Sequence, residues 1–545
     1  MKNLLGIVLM IFVIGFTGSC SFHTPKQDSY TLVVLHTNDH HGHPVGFDKY
    51  PVKQIGGMPA RATLITRIRS EFPNVLLLDA GDMNTGRPES VFFNAEPDIV
   101  SMNYMKYDAM VLGNHEFDAG LDVLKKQIKQ AEFPFISANI QKKGGEEFVK
   151  PYILKQFKGF TVAIFGLTTS TVRSVGNPEM FTELEVHNEI HIAQKLVPEL
   201  RQKADIIIAL THMGTDPDDD KNEYGARRLA AQVPGIDLIV DGHSHTILHS
   251  PLQIGTTRIV QAGDWGIFLG MVTITLEKGQ ITSVNGKLVP INDKRIEKTD
   301  DGKEKVVFVG EEIPEDTALS ALLKPFNDKV DAVLGEKIGN APVALLQEKI
   351  RQEEAPLGNL VADAMQWYTS IMTIDGAVDF SIQNGGGVRS TMPKGDITKR
   401  IIYEILPFDN SVVVCVLKGS QVRELFAFLA TVPPNSGAFP QVSREVSFTL
   451  NYALGKCENV LINGQPIDDN KMYRIATNSY MANGGDKYRV FKESLRIDDT
   501  SKFQRDVVIE YIKKELKGNI VPLNPGRIKI VPAVKTSCVM KNKAA

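Results

Sequence analysis

The sequence predicts an α/β protein of two domains joined by a helix, and three observations carry that prediction. The chain is 545 residues long with 43% apolar and 8% aromatic residues, enough to bury more than one core and unlike a disordered or fibrous composition. Five short runs of Val, Ile and Leu each end in Asp, Asn or His, the mark of buried strands that deliver polar groups at their C-terminal ends. All twelve histidines lie at or before position 249, so imidazole chemistry is confined to the first half. Charge excludes one class of function. With 61 Lys+Arg against 64 Asp+Glu the net charge is −3, and no basic run is present, which argues against a protein that lives on nucleic-acid backbones.

The N-terminus stands apart from the fold. Lys2 precedes an unbroken apolar and Gly stretch from Leu4 to Phe16, and Thr17-Gly18-Ser19-Cys20 follows, so residues 1–20 read as a signal peptide. The apolar run is short for a membrane span. Small residues before Cys20 resemble a bacterial lipobox, in which that cysteine is lipidated, although Thr17 stands where Leu is usual; a plain signal peptide or an uncleaved anchor is the alternative. On each reading the protein is exported, and lipid would tether a soluble body to the periplasmic or cell-envelope face of a membrane. Cys415, Cys457 and Cys538 remain, an odd number, so the fold is not built on disulfides. Cys415 within Ser411–Leu417 reads as a small core residue of a buried strand.

Residues 30–290 are expected to form the first domain. Leu32–Leu35 runs into His36-Thr-Asn-Asp39-His40-His41-Gly-His43, Val75–Leu78 into Asp79-Ala-Gly-Asp82, and Ala109–Leu112 into Gly113-Asn114-His115-Glu116-Phe-Asp118. Ile206–Leu210 runs into Thr211-His212, and Leu238–Val240 into Asp241-Gly-His243-Ser-His245. Met58–Arg69 and Leu121–Ala131 have helical character between them, as strand–helix alternation requires. Ligands of such sheets bind beyond the carboxyl ends of the strands. Any one Asp-Xaa-His or Asn-His is more often a turn than a ligand pair, but five recurrences without a cysteine are not explained as turns. Asp39, His41, Asp82, Asn114, His212, His243 and His245 make seven donors, a set that suits Mn²⁺, Zn²⁺, Co²⁺ or Fe²⁺ and is about right for two ions sharing one carboxylate. His36, His40 and His43 read as supporting or loop residues, and His187, His191 and His249 as surface or helix positions.

Residues 291–340 read as a connector. Ile291–Gly310 is polar and charge-rich, and Glu315–Gly339 carries Leu319, Leu322, Leu323, Phe326, Val330, Val333 and Leu334 at helical spacing, punctuated by Pro314 and Gly339. Residues 341–530 form a second α/β unit. There Pro356–Met365 has the spacing of a buried helix, Phe380–Asn384 runs as a strand into Gly385-Gly-Gly387, and Leu406–Asn410 and Asn478–Asp486 are two further loops. Alone, the glycines read as a tight turn. Residues 531–545 read as a loose tail.

Asp39-Xaa-His41, Gly81-Asp82, Gly113-Asn114-His115-Glu116, His212 and Gly242-His243-Xaa-His245 resemble the five motifs of calcineurin-like metallophosphoesterases. The longer strings Leu35–His43, Gly81–Gly86 and Gly113–Asp118 resemble the secreted 5′-nucleotidase family, which includes bacterial UDP-sugar hydrolases and animal ecto-5′-nucleotidase. Asp82-Met-Asn84 departs from the broad superfamily, which often has an acidic residue after Gly-Asp, and fits the nucleotidase branch. The resemblance implies an N-terminal metallophosphoesterase β-sandwich flanked by helices, a linking helix and a second α/β nucleotide-specificity domain. It further implies one ion held by Asp39, His41, Asp82 and His245 and another by Asp82, Asn114, His212 and His243, with Mn, Zn or Co as the candidates. Two such ions, roughly 3.5–4 Å apart, lower the pKa of a shared water and polarise a phosphoryl oxygen. His115 is then the transition-state histidine and Asp118 the residue that orients its ring.

For the second half the same resemblance implies that Arg351 and Arg389 hold anionic groups, Asn384 and Asn410 make polar contacts, Phe408 and Tyr480 sandwich the base, and Asp486 accepts from the ribose hydroxyls. Tyr480 stands where the family usually has Phe, so its hydroxyl is expected to bear on base preference. Ala355 stands where some bacterial members carry a second Arg, so highly charged substrates are expected to be gripped less well. The domains are expected to rotate about the segment Glu315–Gly339. The implied activity is phosphate release from nucleoside 5′-monophosphates, with cleavage of UDP-sugars or other nucleotides as a further expectation. A 2′,3′-cyclic phosphodiesterase with 3′-nucleotidase activity is the enzymatic alternative, and a surface-binding protein on the same scaffold the non-enzymatic one. Nucleotides are the expected partners, with no nucleic acid and no membrane contact except through lipid at Cys20; the sequence leaves the oligomeric state open.

Overall fold

The computed structural model describes residues 29–172, 181, 183–216, 225–299, 301–372, 377–522 and 526–532. The signal segment with Cys20, and residues 533–545 of the expected tail, lie outside the described residues. Ser29–Thr37 lies inside a six-stranded sheet ordered Gln280–Pro290, Phe268–Glu277, Ser29–Thr37, Val75–Asp79, Ala109–Val111 and Phe135–Ile136. The last four are mutually parallel, and the helices Met58–Glu71, Glu96–Met105 and Leu121–Gln130 make the crossovers. A second six-stranded sheet runs Leu252–Ile254, Thr257–Val260, Leu238–Val240, Ile206–His212, Phe160–Thr168 and Tyr152–Phe157, parallel in its middle. The two sheets face each other through Leu32, Val34, Leu76, Leu78, Val162, Ile164, Ile206, Ile208 and Leu238. Both sheets therefore have their apolar faces covered, which is why their strands read as continuous apolar runs without alternation.

Register positions the loops. Thr37 is level with Asp79, and Leu78 with Ala109. His212 is level with Thr168, and Leu210 with Val240. All five polar-ended strands thus stop at one edge of the sandwich. The emerging loops also pair with each other: the amides of Asp39, His41 and Gly42 donate to the carbonyls of Gly81, Asp82 and Met83.

The connector differs from its expected form. Lys294–Lys298 and Glu304–Phe308 pair as an antiparallel hairpin, whose largely exposed faces leave its charges in solvent. The linking helix is Thr317–Leu334, shorter than the expected segment Glu315–Gly339, with Asp316 accepting from the Leu319 amide at its start. It buries Leu319, Leu323, Val330 and Leu334. Gly339 does not end it but lies in the strand Lys337–Ala341, where a Cβ would stand 2.8 Å from the Gly518 carbonyl oxygen. Close backbone approach, not helix termination, accounts for that glycine.

The C-terminal half centres on a five-stranded sheet ordered Pro440–Val442, Phe380–Asn384, Met472–Asn478, Ser411–Lys418 and Arg496–Phe503. Pro356–Met372 and Gln504–Lys514 pack together over one core, and Gly419–Leu429 lies in another with Phe380, Ile382 and Cys415. Cys415 is fully buried in its strand. Nearby, Glu354 closes the domain. One of its oxygens accepts from the backbone amides of Gly526, Arg527 and Ile528 at 2.8, 2.7 and 2.9 Å, and the other from Asn359 at 2.7 Å. Removing a buried carboxylate that satisfies three amides leaves those donors unpaired. Glu354→Ala is expected to lose roughly 3 kcal/mol in urea unfolding; stability within about 1 kcal/mol of the native chain would show the anchor to be dispensable.

Candidate active site

At the shared edge of the two sheets, the loops bring the predicted donors together. His41 Nε2 and His245 Nε2 are 3.1 Å apart, and His245 Nε2 is 3.4 Å from Asp39 Oδ1. His212 Nε2 lies 3.1 Å from Asp82 Oδ2 and 3.2 Å from Asn114 Oδ1, and His243 Nδ1 lies 2.8 Å from the same Asn114 oxygen. Asp82 stands between the two groups, since the same Oδ2 is also 3.9 Å from His41 Nε2. Asp39, His41, Asp82, His243 and His245 all have positive φ, from 47° to 78°, a region costly for side-chain-bearing residues. The surrounding fold holds these residues in strained backbone so that their side chains converge.

The donor set fits divalent cations. His41 Nδ1 lies 2.9 Å from the Asn84 carbonyl oxygen, and His212 Nδ1 lies 2.7 Å from that of Ala80. A carbonyl only accepts, so each Nδ1 carries a proton and each Nε2 is the ring atom turned inward. His245 Nδ1 is tied in the same way, 3.2 Å from Asp264 Oδ2. Two imidazole lone pairs 3.1 Å apart repel unless a cation lies between them. Burial, with the charges of Arg389 and His115, holds His41 well below the usual imidazole range, and burial with the His212 charge pushes His243 down to about 3. Both are neutral at pH 7, the form that ligates. His212 moves the opposite way, to about 10, because the Asp82 carboxylate outweighs the effect of burial.

His115 lies on the cavity side of these groups, its Nδ1 2.7 Å from Asp118 Oδ2 and its backbone amide donating to Asp82 Oδ1 at 2.8 Å. Burial lowers its pKa, but the charges of Asp118 and Asp82 raise it beyond the usual value. Of the remaining histidines, His36, His40 and His43 are buried, while His191 and His249 are exposed and His187 is half-buried.

Two residues escaped the sequence reading. Glu116, 1% exposed, accepts from the amides of Asp82, Met83, Asn84 and Gly113 at 3.0, 2.8, 3.2 and 2.7 Å, and so clamps the loops that carry Asp82 and Asn114. Its place in Gly113-Asn-His-Glu116 was visible, but backbone amides converging on a carboxylate leave no sequence signal. Asp264 lies nineteen positions beyond His245 in a loop without a motif, and only folding brings it to that ring.

The second domain closes the site. A cavity of about 670 Å³ is lined by Asp82, Asn114, His115, Asp118, His243 and His245 from one half, and by Arg351, Asn384, Arg389, Phe408, Asn410, Tyr480 and Asp486 from the other. Asp39, His41 and His212 lie just beneath, at 0 to 1% exposure. Arg389 Nη2 is 3.4 Å from His41 Nε2, and its guanidinium lies over the Phe408 ring, which stacks on His115 with centroids 5.7 Å apart. The halves are joined by Arg87–Glu404 at 2.7 Å and by Arg400, which reaches Glu89 at 2.6 Å and Asp331 at 3.1 Å. Arg505 donates to the Phe408 carbonyl and pairs with Asp409, fixing the loop that carries the ring.

Comparison with known proteins agrees with this arrangement. The family described as Calcineurin-like phosphoesterase matches residues 32–246, and that described as 5′-nucleotidase, C-terminal domain, matches residues 337–493. Protein UshA of Escherichia coli (strain K12) is 37% identical over 520 residues, covering 90% of this chain and 92% of its own length. The chain belongs to the 5′-nucleotidase family. A 5′-nucleotidase of Vibrio vulnificus (strain CMCP6) is 34% identical across 94% of this chain and 96% of its own. The crystal structure of the 5′-nucleotidase precursor from Thermus thermophilus superposes with a TM-score of 0.79 at 30% identity, covering 92% of this chain and 99% of that one. The protein is a metal-dependent phosphoesterase of the nucleotide-hydrolysing kind, with a calcineurin-like N-terminal domain and a 5′-nucleotidase C-terminal domain.

A carboxylate behind a ligating imidazole fixes its ring and raises its basicity, and its loss typically weakens metal binding roughly 10- to 100-fold. Asp264→Ala is therefore expected to bind Mn²⁺ at least about tenfold more weakly by calorimetry, with an unchanged circular dichroism spectrum. Native affinity in this variant would remove Asp264 from the site.

Proposed function

We propose that this protein is an exported two-metal phosphohydrolase that releases phosphate from nucleoside 5′-monophosphates, with UDP-sugars or other nucleotides as further candidate substrates. The observation that carries the reading is the cavity in which the clustered donors face two arginines, two aromatic rings and a carboxylate from the other domain. In this proposal Asp39, His41, Asp82 and His245 hold one divalent ion, and Asp82, Asn114, His212 and His243 hold the other. Bound there, the ions would supply Lewis-acid charge to the phosphoryl oxygens and lower the pKa of a nearby water. Mn, Zn and Co all suit the mixed nitrogen and oxygen donors.

The chain's own residues do the rest. Arg389, 3.4 Å from His41 Nε2, brings a planar five-donor fork to the place where the scissile phosphate must meet the donor cluster. Arg351 adds a second cation on the same cavity wall. With His115 Nδ1 committed to Asp118, Nε2 is the ring atom left to face a phosphoryl or leaving-group oxygen. The two neighbouring carboxylates favour the imidazolium, which neutralises charge developing on that oxygen. Phe408 and Tyr480 grip the base, Asn384 and Asn410 make polar contacts, and Asp486 accepts from the ribose. Export rests on residues 1–20, with lipidation proposed at Cys20. The domain limits proposed are 30–290 and 341–530, with 291–340 between them.

His115→Ala is expected to bind metal and fold normally while kcat falls by roughly 10²- to 10⁴-fold; near-native turnover would take His115 out of the mechanism. In a panel of AMP, UMP, UDP-glucose, 3′-AMP and 2′,3′-cyclic AMP with added Mn²⁺, fast phosphate release from the 5′-monophosphates, abolished by a chelator, is expected. Preference for the 3′ or cyclic substrates would overturn the proposed specificity.

A further inference from the structure

The hydroxyl of Tyr480 is turned to Asp486. It donates to Asp486 Oδ1 at 3.1 Å and accepts from the Asp486 backbone amide at 3.1 Å, so both of its hydrogen-bonding roles are spent on one residue. The sequence ties this hydroxyl to base preference, and its contacts tie it to Asp486. Asn384 Nδ2 donates to Asp486 Oδ2 at 2.7 Å. Its amide cannot turn, because its own oxygen receives Asn478 Nδ2 at 3.1 Å and Gln383 Nε2 at 3.1 Å. One carboxylate is thus pinned at both oxygens by two neutral donors, on a residue whose backbone sits at φ 51°.

Packing keeps that geometry. A Cβ on Gly485 would stand 2.5 Å from the Tyr480 ring, so glycine there lets the ring lie flat against the backbone. A Cβ on Gly437 would lie 3.5 Å from Asp486 Oδ2, so the absence of a side chain leaves that flank of the carboxylate open. Gly437 lines the cavity with Asp486, and Gly485 directly precedes Asp486 in the chain. A carboxylate offers about four acceptor positions; two are taken, and two remain for a ligand with a pair of adjacent O–H donors. Burial and the Asp486 charge raise the Tyr480 pKa well above the usual phenol value, so the hydroxyl remains a donor.

Resting on the proposed nucleotidase reading, we infer that the Tyr480 hydroxyl is a positioning residue for sugar recognition: with Asn384 it fixes the Asp486 carboxylate so that the site selects nucleotides carrying a free vicinal 2′,3′-diol. A phenylalanine at 480 would keep the stacking surface and release one carboxylate oxygen. The expected consequence falls on the sugar and not on the base.

The test compares the whole native chain with Tyr480→Phe and Asp486→Asn, using adenosine and 2′,3′-dideoxyadenosine in equilibrium calorimetry, and AMP and 2′,3′-dideoxy-AMP in phosphate release. Loss of a hydrogen bond to a charged group is worth roughly tenfold in binding. Tyr480→Phe is expected to shrink the preference for the diol nucleoside roughly tenfold while dideoxyadenosine binding stays within about threefold. Asp486→Asn should shrink the preference at least as far. An undiminished diol preference in Tyr480→Phe, equal weakening of both nucleosides, or no diol preference in the native chain overturns the inference. Failure of the native chain to release phosphate from AMP is a separate outcome, and it removes the nucleotidase reading instead.

Discussion

The close approach of like electron pairs at the strand ends is the constraint on which the rest depends. Imidazole nitrogens 3.1 Å apart and carboxylate oxygens 3.1 to 4.0 Å from such nitrogens are held there by strained loops, and such a cluster is stable only when positive charge is available to it. Each device around it serves that crowding. Backbone carbonyls of Asn84 and Ala80, and the Asp264 carboxylate, fix which ring nitrogen faces inward. Glu116 gathers four amides so that the Asp82 and Asn114 loops cannot relax apart. The sandwich beneath is a buried apolar core, which gives these loops a rigid base.

The second domain supplies complementary chemistry. Where the first half collects electron-pair donors, the second brings Arg351 and Arg389 to the shared cavity, cations suited to the anionic end of a phosphoester. Ion pairs through Arg87 and Arg400 join the halves around that cavity, and Arg505 steadies the loop whose phenylalanine stacks on His115. The hydrogen bonds through Gln383, Asn384, Asn478 and Tyr480 then give one half-buried carboxylate a fixed direction.

Much of this was legible in order along the chain. Residues that end buried strands announce themselves by an abrupt change from Val, Ile and Leu to Asp, Asn and His, because a parallel strand must be apolar on both faces up to the point where it leaves the sandwich. Asp39, Asp82, Asn114, His212 and His243 stand just beyond such changes. The linking helix was found from its apolar spacing, but its end was misplaced: Gly339 is a glycine for close contact with Gly518 and not for a helix stop. The connector hairpin was missed because exposed strands with charges on both faces lack the periodicity that marks a half-buried one.

The sequence by itself determined the fold class, the family, the donor types and the half of the chain in which they lie, since these follow from local apolar patterning and from residue strings that survive translation into one dimension. Tertiary structure decided which groups support them. Asp264 behind His245, the four amides on Glu116 and the Tyr480 hydroxyl on Asp486 are contacts between atoms whose positions depend on how separate loops lie against each other. A hydrogen bond is settled within a few tenths of an ångström, and no spacing along the chain carries that information.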